Sequence, residues 1–456
     1  MMAPAATALA DTMVVMPHAL LRRTESAHSD SQDSSQASTH DCLALCPPTP
    51  NVQALVRACN CLGCAYLVCS IVTFCSSAYT GPGSALDVVL FVSDVVCVDV
   101  SSALFVMAGC TVASVLRTSA PDKQTRIARQ AALVMLLDLY GATLCALVLG
   151  SLHALMLARF RWADVAFTAV DGLTTLRTLD FRQSAAAPHP YNVTAWPLQS
   201  LLWCVLSTPG LLRMEGWLAE RAPQLADTVV CLCSVLGITL FTAFGSMQTS
   251  SNIFYANASS VTYRSLEFNL GVHAVFLLGR HAALVAALRH VCRHAAPYVA
   301  VLVGTVWFSE IGRPLSARTD DNCLRLYHRS SCLQDHHGFF LRGCVLALFA
   351  LLCINTGPPE QLARELRVAS ALLPAMAFCW PLCIAVKLVL DVTFGAALVG
   401  QNRPVVLVMC AAALGVLSMW YVSIVQPKLS AGASRALRRG ATGPAPPPDS
   451  PRTPLV

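Results

Sequence analysis

The chain has 456 residues, 55% of them hydrophobic and 12% charged, with a formal net charge of +6. Soluble domains carry about 25% charged residues, so this composition, with a mean hydropathy of +0.58, excludes an ordinary soluble enzyme and predicts an all-α polytopic membrane protein. The excess positive charge is spread over loops and tails, which fits topology signals and argues against a nucleic-acid partner.

Taken in chain order, residues 1–50 read as a flexible cytoplasmic tail. Their start is weakly apolar, Arg22 and Arg23 follow the apolar part rather than precede it, and Ser, Gln, Asp and His dominate residues 25–41. A membrane domain then runs over 51–427. Its first span is expected at 55–77. The apolar run 85–116 is too long for one ordinary crossing, so 85–98 reads as a re-entrant or interfacial piece and 99–116 as the second span. Further spans are expected at 131–157, 197–212, 226–247, 265–280, 297–311, 339–355, 368–398 and 404–425, ten in all. Residues 428–456 are basic and then Pro-rich, a second flexible tail.

Orientation follows from the short basic connection after the second span, which holds Arg117, Lys123, Arg126 and Arg129. Such clusters mark the cytoplasmic side. Alternation then puts both termini in the cytosol, as expected of a multi-pass protein of the plasma membrane or an endomembrane. Two glycosylation acceptor patterns, Asn192-Val193-Thr194 and Asn257-Ala258-Ser259, fall in loops assigned to the opposite face, which predicts a glycoprotein. Cys323 and Cys332 share a polar loop on that face and are expected to form a disulfide. Most of the 21 cysteines instead lie within apolar runs, where a thiol acts as a small hydrophobe. Cys59, Cys61 and Cys64 lack the His or carboxylate company of a metal site, so no metal is expected.

Ionisable groups within spans are costly and mark functional positions by default. Asp138 and His153 fall on the third span, Glu267 and His273 on the sixth, and Lys387 and Asp391 on the ninth. Lys387 and Asp391 are four residues apart and can neutralise each other as a structural ion bridge. Glu267, Asn269 and His273 recur near helical spacing, which allows a common polar face. Arg126 and Arg129, three residues apart, share a helical face at the membrane surface and suit phosphate capture, beside their plain role as a topology determinant.

Several stretches resemble membrane acyltransferases of the acyltransferase-3 clan, closest to the OpgC-like branch of periplasmic-glucan succinyltransferases. Asp99-Val-Ser-Ser-Ala-Leu-Phe-Val-Met-Ala-Gly109 resembles the branch's second helix, and Arg126-Ile-Ala-Arg129 is similar to the clan's Arg-x-x-Arg loop. Trp196 to Pro209 resembles its fourth helix, and Phe268-Asn-Leu-Gly-Val-His-Ala-Val-Phe-Leu-Leu-Gly279 the branch's Phe-Asn run. The similarity covers about residues 53–427 in ordered pieces. It implies acyl transfer from acyl-coenzyme A, held on the cytosolic side by Arg126 and Arg129, to a hydroxyl of a glycan or lipid on the opposite face. Arg57, Asp99 and His273 are the catalytic positions it suggests. The chain departs from the pattern in two respects: no histidine follows Arg57 in the first helix, where Tyr66-Leu-Val-Cys-Ser70 stands instead, and Ser101 and Ser102 stand where an acidic residue is expected just after Asp99. The alternatives are a multi-pass solute transporter and a catalytically silent membrane scaffold of the same fold.

Overall fold

The computed structural model describes residues 52–79, 85–117, 121–157, 159–174, 195–222, 228–237, 261–280, 286–291, 359–429 and 431–432, with scattered positions, single or paired, from 192 to 347. Every described element is helical. They are α1 (Val52–Tyr79), α2 (Ala85–Arg117), α3 (Pro121–Met156), α4 (Trp162–Thr174), α5 (Trp196–Arg221), α6 (228–237), α7 (Val261–Arg280), α8 (Pro359–Phe394), α9 (Ala396–Gln401) and α10 (Arg403–Trp420). A π-helical turn, Tyr421–Val425, follows α10. Five stretches are long and apolar enough to cross a membrane: Ala54–Cys75, Val100–Arg117, Lys123–Met156, Val368–Phe394 and Pro404–Leu429. The spans expected at 297–311 and 339–355 lie largely outside the described residues, as do Asn257, Cys323 and Cys332.

Several expected boundaries move. Residues 85–98 are not a separate piece, because α2 is one unbroken helix of 33 residues. Asp87, Asp94 and Asp99 interrupt its hydropathy, but none is a backbone breaker like Pro or Gly. The basic connection is mostly helix, since Pro121 starts α3 and its fixed φ suits a first turn. The expected ninth span at 368–398 ends early, at Gly395 with φ 83°, a left-handed conformation that favours glycine. The long polar connection after α3 contains α4, which packs back along α3 with Gly172 against Thr143.

The centre of the bundle is α2, held between α1 and α7. Helix α8 packs on α1, α3 and α10, and α5 packs on α3 and α7. Pairings fix the directions. Arg57 and Asn60 of α1 meet Glu365 of α8, and Phe74 meets Trp380 further on, so these helices run parallel. Arg264 of α7 meets Ser101 and Ser102 of α2, and Gly271 meets Val106, so α2 and α7 are parallel too.

The α2–α7 crossing is a backbone-to-backbone contact. A Cβ built on Gly109 would stand 2.0 Å from the Phe268 carbonyl oxygen, and one on Gly271 would stand 1.9 Å from that of Val106. Small residues let apolar helices approach this closely, and the glycine Cα–H groups face the opposing carbonyls. The Cys110 thiol adds a bond to the Gly271 carbonyl at 3.1 Å. Elsewhere the apolar helices absorb their own hydroxyls. Ser70, Thr111, Ser114 and Thr208 each donate to the carbonyl four residues back, so these hydroxyls are satisfied within their own helices.

Candidate functional site

Two polar centres flank one apolar cavity. The cavity, of about 210 Å³, lies among α1, α2, α3, α5 and α8. On α2 its wall runs from Leu104 to Val115, about 16 Å of helix at 1.5 Å per residue. Uncharged polar side chains (Asn60, Thr111, Gln130 and Ser370) interrupt the apolar wall, and among the described residues no charged side chain lines it.

At one end lie Val56 of α1, Ile127 of α3 and Ala369 of α8. Beside them Arg57 Nε donates to Glu365 Oε1 at 3.1 Å, and Asn60 Nδ2 donates to Glu365 Oε2 at 3.1 Å and to its carbonyl at 2.8 Å. The buried Oδ1 of Asn60 has no partner among the described residues. The same turn of α3 faces two ways. Ile127 and Gln130 line the cavity, while Arg126 and Arg129 are exposed on the outer surface. Helical periodicity places residues one apart about 100° round the axis, so this division is built into the order Arg-Ile-Ala-Arg-Gln.

The other end is floored by Phe105, which stacks on Trp196 at 6.3 Å between centroids. Beyond it sits a buried charge cluster that sequence reading missed. Arg264 is fully buried; its Nη1 donates to Glu267 Oε2 at 2.6 Å and to Ser102 Oγ at 2.8 Å, and its Nη2 to Ser101 Oγ at 3.2 Å. The guanidinium also lies 5.0 Å from the Trp196 ring centroid and 5.4 Å from that of Phe105, within cation–π range. Sequence reading began the sixth span at 265 and so left Arg264 in a loop. The signal was present in its three-residue spacing from Glu267, because a carboxylate inside a span needs a cation.

The expected catalytic positions do not converge. Arg57 belongs to the Glu365 end of the cavity, whereas α7, which carries His273, is separated from α1 by α2. His273 is fully buried, but nine residues past Arg264 it projects from roughly the opposite side of α7. Glu267 and His273, six residues apart, stand about 120° apart around α7. Asp99 is carried on α2, with its side chain outside the described residues. Asn192 is buried, and its Nδ2, the atom a glycan would occupy, donates to the Ala377 carbonyl at 3.2 Å. Lys387 and Asp391 do pair, as their spacing predicts.

Asp138 has its own partner. Tyr421 Oη, at the start of the π turn, donates to Asp138 Oδ1 at 2.5 Å, tying α10 to α3. Both residues are buried, and Asp138 Oδ2 has no partner among the described residues. Tyr421→Phe would strip the carboxyl of that donor, with an expected cost of about 1–3 kcal/mol. Thermal unfolding of the purified variant, read by intrinsic fluorescence, measures this; an unchanged midpoint would show the bond contributes nothing net.

Among the described residues no three metal-ligating side chains gather at either end of the cavity. No family model matches the chain, and neither a curated protein sequence nor a solved structure matches it.

Proposed function

We propose that this chain is an integral membrane acyltransferase that takes an acyl group from coenzyme A and passes it to a hydroxyl of a glycan or lipid. One observation carries the reading: a single turn of α3 offers two exposed arginines to the outside and two cavity-lining residues to the inside. An acyl-coenzyme A molecule has the same division, a phosphate-rich head joined to an acyl chain. Arg126 and Arg129 would hold phosphates through charge-assisted, two-pronged hydrogen bonds. The thioester would then lie at the cavity mouth, beside Arg57, Asn60 and Glu365. There the acceptor oxygen bonds to the acyl carbon as the carbon–sulfur bond breaks. The hydroxyl proton passes to the departing thiolate, and Glu365, paired with Arg57 and Asn60 beside that mouth, would relay it.

Coenzyme A binding to the purified full-length protein tests the assignment. Charge-assisted hydrogen bonds contribute about 1.5–3 kcal/mol each, so Arg126→Ala with Arg129→Ala should weaken binding about tenfold or more. Lysine at both positions should restore part of it, because a point charge lacks the planar fork. Calorimetric titration showing no binding to the folded parent would remove the acyltransferase reading. Equal binding by parent and double-alanine protein would remove only the arginine site.

A further inference from the structure

We infer that the acyl group this cavity accepts is a hydrocarbon fatty-acyl chain and not a short dicarboxylic one. The inference rests on the acyl-coenzyme A reading above and adds the class of donor. The resemblance of the sequence to succinyltransferases implies a donor whose acyl end carries a carboxylate. A carboxylate taken out of water needs a cation or several donors around it. Among the described residues the wall offers neither: no charged side chain lines it, and Arg264 lies behind Phe105 with its Nη groups on Glu267, Ser101 and Ser102.

Shape agrees with chemistry. The lining residues span about 16 Å of α2 and about 10–12 Å of each of the other four helices, around a volume of about 210 Å³. Walls of that length run along the helices, as an extended methylene chain would, and exceed the length of a succinyl group. Its end is a flat aromatic, Phe105 stacked on Trp196, which suits a terminal methyl group. The uncharged polar residues fall mostly toward the other end, where Asn60 and Gln130 could meet the thioester and the adjoining amide.

The test uses the full-length protein in lipid nanodiscs and a palmitoyl-coenzyme A carrying a diazirine at the chain terminus. After irradiation, adducts are expected on the far part of the wall, at Phe105, Leu198 or Leu201. Excess palmitoyl-coenzyme A should suppress them and excess succinyl-coenzyme A should not. Ala108→Trp, which fills the middle of the cavity, should lower labelling about tenfold or more. Because the competition arms use the parent protein, a variant that fails to fold does not blunt the test. Suppression by succinyl-coenzyme A equal to that by palmitoyl-coenzyme A would overturn the fatty-acyl inference and leave the coenzyme A donor standing. Suppression by free palmitate but not by palmitoyl-coenzyme A would do the reverse, keeping the hydrocarbon site and removing the donor reading. Absence of adducts on the cavity wall would overturn the inference outright.

Discussion

Gly271→Ala should destabilise this protein more than any other single-methyl addition in the described helices except its counterpart at Gly109. The added carbon would meet the Val106 carbonyl oxygen at 1.9 Å, and at Gly109 the obstacle is the Phe268 carbonyl at 2.0 Å. Neither obstacle is a side chain that can rotate away, so the two helix axes must separate. Overpacking ordinarily costs about 1–3 kcal/mol, and a backbone-on-backbone clash belongs at or above the top of that range. Separation would also pull Ser101 and Ser102 from Arg264, since both contacts lie on the same pair of helices. Gly415→Ala is the matched control. It sits in α10 with nothing within 4 Å of its would-be Cβ, and alanine is the better helix former by about 1 kcal/mol. The expected result in detergent is a large drop in unfolding temperature for Gly109 and Gly271 substitutions and none for Gly415. Equal midpoints for all three would mean that α2 and α7 do not cross at these glycines.

Arg264→Met is the second large effect. It leaves Glu267 fully buried without its cation, and breaking a buried pair from one side costs about 3–5 kcal/mol. Removing the carboxylate as well, in Arg264→Met with Glu267→Leu, should recover most of that loss, because the desolvated charge is gone. Ser102→Ala should cost far less, about 1 kcal/mol for one hydrogen bond. The double-mutant cycle, read from chemical unfolding, gives the coupling directly. A double variant no more stable than Arg264→Met would show that the pair's charges are not what the single change exposes. Since Arg264 stands behind Phe105 and outside the cavity wall, coenzyme A affinity should be little changed in any of these proteins that folds.

How much of this was legible in the sequence depends on the kind of signal. Hydropathy located the helices well. The expected spans near 55–77, 99–116, 131–157, 368–398 and 404–425 correspond to the five stretches apolar enough to cross a membrane. Helix α2 runs parallel to α7, and α1 to α8. Lys387 and Asp391 were readable because both partners lie on one helix. What remained hidden were partners on different segments of the chain: Glu365 for Arg57, Tyr421 for Asp138, Ala377 for Asn192. Such pairings depend on which faces meet, and periodicity within one helix carries no information about that. Arg264 was hidden for another reason. A charge in the first turn of a helix lowers the window average just where the span begins, so a buried cation there is assigned to the loop before it.

The π turn at Tyr421–Val425 has a consequence for the register of the chain. A π turn takes in one more residue than the α-helical path would, much as a single-residue insertion does. Everything after it is therefore rotated by about 100° from the position that α10's own periodicity would assign. Gln426 is the first residue to feel the offset, and it is buried. Deleting any one residue of the turn would let the helix run on regularly, and would swing Gln426 and Lys428 round the axis together. Tyr421, on the near side of the turn, would keep its place against Asp138. The end of α10 thus stores a built-in phase shift, one residue wide, between the segment that grips α3 and the segment that leads to the tail.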